Sequence, residues 1–209
     1  MTRKHDTLEC SDGSELYNGF GVATYRIITV PTRGEHDMAD FPGQRSLVAI
    51  DLENAASSPR VCLEWAKKIG PFLKDLLQLK VEDLVYVAGS PGNGLAVCTV
   101  AHDLHGQART KRGENGADLA LLDALETIPA SALSSSDAPI KEIVIVSGDG
   151  IFADVARRFR AMGLSVVGVS RRRSMSRALA DACTRVVYLD GRSVPRGPDR
   201  TRFRSRNQG

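Results

Sequence analysis

Three aspartates stand at positions where a sequence of this kind can do chemistry. Asp51 ends the segment LVAIDLEN, and Asp149 lies in IVIVSGDGIF. Each follows a run of apolar residues, Leu47 to Ile50 and the wholly β-branched Ile143 to Val146. Asp118 opens the helix-patterned segment GADLALLDAL, and Asn54 follows Asp51 by three residues. Ser147 stands two residues before Asp149. Carboxylates fixed by rigid elements are hard oxygen donors of the kind that suit Mg²⁺ or Mn²⁺. A cation held there would orient a water and neutralise charge building on a phosphate. Each residue also has a plainer reading. A strand-end aspartate can cap a loop, asparagine is common in turns, and Ser147 can serve a turn hydrogen bond. The coincidence of three acids is what favours a site.

The elements that must hold these residues can be read from the hydrophobic pattern. Continuous apolar runs suit strands covered on both faces, and parallel sheets bind ligands beyond the carboxyl ends of their strands. Strands are expected at Ser46 to Asp51, Leu84 to Ala88, Ala108 to Lys111, Ile143 to Ser147, Ser165 to Val169 and Val186 to Leu189. Helical spacing predicts helices over Arg60 to Leu77, Leu95 to His102, Asp118 to Ile128, Phe152 to Met162 and Arg177 to Cys183. Ser57, Ser58 and Pro59 give start signals for the first, and Pro71 predicts a break or kink near Gly70. Ser131 to Asp137 reads as a polar loop. Alternating strands and helices over residues 46–190 favour a parallel, doubly wound α/β sheet.

Three parts follow: an N-terminal extension over 1–44, partly ordered; one domain over 45–190; and an arginine-rich flexible tail over 191–209. Ala23 to Val30 is a candidate edge strand ended by Pro31. The tail carries a net charge of +5 within a chain of net charge +3, so the body is acidic. A flexible arginine arm suits phosphate backbones, or it simply solubilises the chain. Lys111 and Arg112 precede the Asp118 helix, and Arg171, Arg172 and Arg173 follow a strand. Both clusters are expected at the edge that carries the acids, where cations would draw a polyanion across them. Their plainer reading is soluble loops.

Other chemistries find little support. The four cysteines are scattered without a CxxC pair, so zinc-ligand spacing is absent and reduced, mostly buried thiols are expected. No apolar run approaches the roughly 20 residues that span a bilayer, and no secretory signal is evident. A cytoplasmic protein is the expectation. The loop GSPGNG (Gly89 to Gly94) lacks the GK[ST] of a P-loop, and reads as a flexible loop. Glu53 stands where a DxDx nucleophile loop would place its second aspartate. Trp65, Phe72 and Tyr86 read as core, and His102 and His105 as surface.

Four segments in order carry a family resemblance: VAIDLENA, GADLALLDAL, IVIVSGDGIFADVARRFRAMGLSVVGVS and ALADACTRVVYL. Residues 46–190 resemble the NYN domain, LabA-like branch, of the PIN-like ribonuclease superfamily. The resemblance implies a three-layer α/β/α sandwich around a parallel sheet. It also implies an acidic pocket that binds Mg²⁺ or Mn²⁺ and cleaves RNA. Asp51, Asn54, Asp118 and Asp149 match the family's pocket positions, with Asp51, Asp118 and Asp149 as the metal ligands. Ser147, Lys111, Arg112, Arg171, Arg172 and Arg173 are then the residues expected to meet the substrate. RNA is the implied partner, with no membrane, and relatives that dimerise bring a homodimer into view. Two positions depart from the pattern. The family commonly has a second acid two residues after the one at Asp149, where this chain has Ile151. Asp154 lies one helical turn further on, as a substitute or as a surface residue. Thr184 replaces an acid before the last strand, at a position that reads as structural. Ile151 therefore leaves two readings: an active nuclease, or an RNA-binding module with weakened catalysis.

Overall fold

Strands that are apolar on both faces are stable only between two covering layers. The computed structural model, which describes residues 30–31, 45–133 and 139–189, has that arrangement. A short strand β1 (Val30–Pro31) precedes β2 (Arg45–Asp51), β3 (Leu84–Gly89), β4 (Gln107–Thr110), β5 (Ile140–Val146), β6 (Ser165–Ser170) and β7 (Arg185–Tyr188). They form one sheet in the order β1-β7-β6-β5-β2-β3-β4. β2 to β7 pair in parallel, and β1 closes one edge antiparallel to β7.

The strands alternate their side chains between two cores. Val48, Ile50, Val144 and Val146 face α2 (Leu63–Leu76) and α3 (Gly94–Asp103), where Trp65, Ile69 and Val97 are buried. Leu47, Ala49, Ile143 and Ile145 face the opposite layer, with Leu121 and Leu125 of α4 (Gly116–Glu126) and Phe159 of α6 (Ala153–Ala161). Leu179 of α7 (Arg177–Ala182) completes that layer. Three layers, α/β/α, result.

The chain order sets the site. From central β2 the chain adds β3 and β4 on one side, then returns to lay β5 against the other side of β2. Strand order thus reverses between β2 and β5, and a crevice opens beyond their carboxyl ends. The register pairs Ile50 with Val146, so Asp51 and Ser147 leave the sheet side by side.

Several local expectations change. A five-residue helix α1 (Leu52–Ala56) starts directly after Asp51. Ser57, Ser58 and Pro59 lie in the loop after it, and the next helix starts only at Leu63. Helix α2 runs through Pro71 rather than breaking there. The proline and Lys67, whose carbonyl loses its partner, are both exposed, so water can serve that carbonyl. Part of the expected polar loop forms the short helix α5 (Ala130–Leu133). Gly89 to Gly94 is not a flexible loop but a bound 3-10 turn over Pro91–Asn93. Among the described cysteines, Cys62 and Cys98 are exposed and Cys183 is buried, against the expectation of mostly buried thiols. Trp65 and Phe72 are core, Tyr86 is partly buried beneath Arg109, and His102 is exposed. Of Ala23 to Val30 only Val30 is described, at the sheet edge, and the tail lies outside the described residues. No helix among the described residues is long and apolar enough to cross a membrane.

Phe152 is fully buried at the foot of the Asp149 loop. Phe152→Ala should therefore lose about 3–5 kcal/mol of stability, read as a lowered urea midpoint with an unchanged slope.

Candidate active site

Asp51 is the last residue of β2 and the cap of α1. One carboxylate oxygen, Oδ1, accepts the backbone N–H groups of Glu53 and Asn54, both at 3.1 Å. The other, Oδ2, accepts the Ser147 hydroxyl at 3.3 Å across the strand-order reversal. Ser147 Oγ in turn accepts the Asp149 N–H at 3.2 Å. Ser147 is buried, so its hydroxyl holds Asp51 and the Asp149 loop together. Asn54 makes a second bridge. Its Oδ1 accepts the Gly148 N–H at 3.0 Å and the Ser170 hydroxyl at 3.3 Å.

Asp118 approaches from the first turn of α4 and does not cap it, since Asn115 takes the cap position in a left-handed conformation. The Asp118 side chain is buried, and its Oδ1 makes no hydrogen bond. Burial pushes the Asp51 carboxyl from its ordinary 3.8 up to about 7. The Asn54 N–H works against that rise, and the charge of Asp118 adds to it. Asp118 is raised too, first by burial and then by the charge of Asp149, while hydrogen bonding toward Asp51 works the other way. Asp149 is exposed at the rim, its Oδ1 accepting the Ile151 N–H at 3.0 Å. Asp51, Asp118 and Asp149 thus share one crevice, with Asn54 and Ser147 tying its walls.

Two further polar residues complete the wall, Glu53 and Asn93, and sequence reasoning assigns neither of them a role in the site. Glu53 Oε1 accepts the Ser90 N–H and the Asn93 amide, each at 2.6 Å. Buried Asn93 also donates to the Pro59 carbonyl at 3.0 Å and accepts the Val61 N–H at 3.0 Å. This knot fixes α1, and it uses the Ser90 N–H that a phosphate-cradling loop would need free. The charge of Glu53 reaches both Asp51 and Asp118. Its partner lies 40 residues away, so no local spacing signals it.

The remaining candidates separate. Ile151 packs against the core beneath α4 and α6 and lines a surface groove with Leu122, Glu126, Asp154, Val155 and Arg158. Asp154 lines the same groove as Ile151, is exposed and pairs with Arg157 at 2.5 Å, as a surface residue does. Thr184 is structural: its hydroxyl accepts the Val166 N–H at 3.0 Å. Lys111 pairs with Asp123 at 2.7 Å, which neutralises much of its charge locally, and Arg112 is exposed. Arg171, Arg172 and Arg173 line a cleft beside the crevice together with Ser57 and Ser174.

Residues 46–190 match the family model of the NYN domain. The chain belongs to the NYN family. This NYN domain therefore sits in the PIN-like nuclease superfamily, and its six-stranded parallel sheet is the fold expected of that group. A protein of unknown function from Vibrio parahaemolyticus has a similar solved structure, at 18% identity and a TM-score of 0.50. The likeness covers 74% of this chain and 97% of that one, and concerns the fold alone. No curated protein matches the chain.

Whether the NYN crevice fits a divalent cation can be judged from its donors. Among the described residues, no three acid, histidine or cysteine side chains converge into a ready cage. The donors nevertheless fit a hard cation. Two buried carboxyls meet without a cationic partner, and one buried oxygen has no hydrogen bond.

The same geometry sets a pH dependence. The folded Asp51 carboxyl, at about 7, holds its proton more tightly than the unfolded one at 3.8. Its contribution to stability is full below the unfolded value and is lost as pH rises through the folded value. With chelator present, Asp51→Asn should match wild type near pH 4. At pH 8 it should be the more stable protein, by up to about 4 kcal/mol. Urea unfolding at pH 4.5, 6 and 8 reads this, and parallel curves would reject it.

Proposed function

We propose that this chain hydrolyses RNA phosphodiester bonds at the crevice beyond β2 and β5, with Mg²⁺ or Mn²⁺ held by Asp51, Asp118 and Asp149. The observation that carries the reading is the pair of buried carboxyls, Asp51 and Asp118, facing one another with an Asp118 oxygen left unpartnered. Buried acids in that state are relieved either by a proton or by a positive group, and two of them in one crevice suit a cation and an anionic substrate. When bound, the cation supplies positive charge at the scissile phosphate and acidifies a water.

The chain's own residues do the rest. Asp51 is oriented by three hydrogen bonds, so its carboxylate needs no reorganisation when substrate arrives. Asp118 Oδ1, buried and without a hydrogen-bond partner, is the acceptor left for the cation. In hydrolysis the water oxygen bonds to phosphorus and the bond to the departing sugar oxygen breaks. The Asn54 oxygen is already engaged, so Asn54 serves the substrate through its amide N–H groups rather than as an oxygen ligand. Ser147 acts by positioning Asp51 and Asp149. The exposed Arg112 and the arginines after β6 attract the strand.

A second reading, RNA binding with weakened or absent cleavage, has one observation in its favour. Ile151 adds no carboxylate, and Asp149 is left at the exposed rim.

Cleavage of a panel of single-stranded and hairpin RNAs separates the readings. Wild type should cut with Mn²⁺ or Mg²⁺ and stop in EDTA. Asp51→Asn and Asp149→Asn should each fall by at least about 100-fold, more than removing a residue that only supports a ligand produces. Full activity in both variants would remove the proposal. Binding without cleavage by wild type would establish the second reading.

A further inference from the structure

The cleft beside the acids has the make-up of a second anion site. It measures about 550 Å³ and is lined by Ser57, Arg171, Arg172, Arg173 and Ser174. Among the described residues its lining holds three guanidinium groups, two hydroxyls and no carboxylate. We infer that this cleft is a built subsite for a non-scissile phosphate of the RNA strand, next to the bond held at the acids. The inference rests on the reading of the chain as an RNA-acting protein and assigns a distinct anchoring role to these five residues.

Three observations carry it. Arg171 Nε is buried without a hydrogen-bond partner. A buried donor left unpaired costs about 1–3 kcal/mol, and a phosphate engaging the Nε edge of the guanidinium would relieve that cost. Arg172 lies over the Tyr188 ring at 4.4 Å, which holds its guanidinium against one wall before any ligand arrives. Arg171 and Arg173 form no ion pair with an acid among the described residues, so their charge is available to a ligand.

The subsite is also joined rigidly to the acids. The arginine turn is closed by the Ser174 and Met175 N–H groups on the Arg171 carbonyl, at 2.9 and 3.1 Å. The Ser176 N–H reaches back to the Gly148 carbonyl at 2.8 Å, one residue before Asp149. A methyl group on Gly148 would collide with the Ser174 carbonyl oxygen, so the two loops pack backbone against backbone there. The opposite wall, Ser57, ends the helix that Asp51 begins, and its N–H bonds the Asn54 carbonyl at 2.9 Å. A strand that fills the cleft is thereby fixed in register with the crevice. The preferred ligand is a chain with several phosphates, which can occupy both places at once.

The test measures binding of a single-stranded 12-mer RNA to the full chain in EDTA, where metal-dependent cleavage is off and the acids contribute nothing favourable. Arg171→Gln combined with Arg173→Gln should weaken binding about tenfold. The slope of log affinity against log salt should shrink by about 0.7 for each phosphate that is no longer neutralised. A double variant of equal charge change elsewhere, Lys68→Gln with Lys141→Gln, should stay within about twofold of wild type. Arg173→Glu alone, on an exposed side chain that folding does not need, should weaken binding more than Lys141→Glu. Wild-type affinity in the arginine variants, equal weakening in the lysine variants, or no binding by wild type would overturn the subsite. Cleavage with Mn²⁺ is scored separately. Binding abolished in the arginine variants of a chain that never cuts leaves the subsite standing and removes the ribonuclease reading.

Discussion

The structure depends on how the strand-order reversal between β2 and β5 is bridged. Adjacent parallel strands diverge at their carboxyl ends once the ladder stops, and the loops they feed run to opposite sides. Here the divergence is spanned by short polar contacts: Ser147 to Asp51, Gly148 to Asn54, and Ser170 to the same Asn54 oxygen. Asn54 therefore joins the loops of three neighbouring strands, β2, β5 and β6. Its single oxygen sets the width of the crevice and the distance between the acids and the arginine turn. These bonds form in a partly dry setting, where a missing partner is costly, so the three loops are expected to move as one body.

Around that bridge, two cores of ordinary composition make room for an unfavourable polar centre. Both faces of β2 and β5 are sealed by aliphatic and aromatic side chains, which leaves burial as the leading influence on Asp51 and Asp118. Glu53 adds a further negative charge nearby, yet one of its oxygens is fully employed by Ser90 and Asn93. One acid thus does structural work while its neighbours stay uncompensated. A fold that uses hydrogen bonds to orient acids, rather than to neutralise them, keeps its field for something that arrives from outside.

How much of this could be read from the sequence follows from which signals are local. The doubly buried strands were legible because continuous β-branched runs have few other homes. Asp51, Asp118 and Asp149 were legible because each sits at a boundary between an apolar run and a polar turn. The Glu53–Asn93 knot was not, since its members are ordinary polar residues brought together only by the β2–β3 pairing. Helix α1 was hidden because it is one turn long, started by Asp51 itself rather than by the serines that follow. Pro71 misled because its ring faces solvent, where a missing helical bond is easily replaced by water. The serine wall of the arginine cleft was equally out of reach, as Ser57 and Ser174 lie far apart in sequence.

The sheet ends differently at its two sides. One side is finished by an antiparallel strand, whereas the other finishes in β4, four residues that are all solvent-exposed. An uncovered last strand is ordinarily a template on which another chain can grow. Here it is only Gln107 to Thr110, too brief to seat a long partner strand. Arg109 is folded over Tyr86 and tied to Gln107, so a guanidinium sits where a stacking neighbour would have to approach. Among the described residues, the open side of the sheet is therefore a poor template for a further strand.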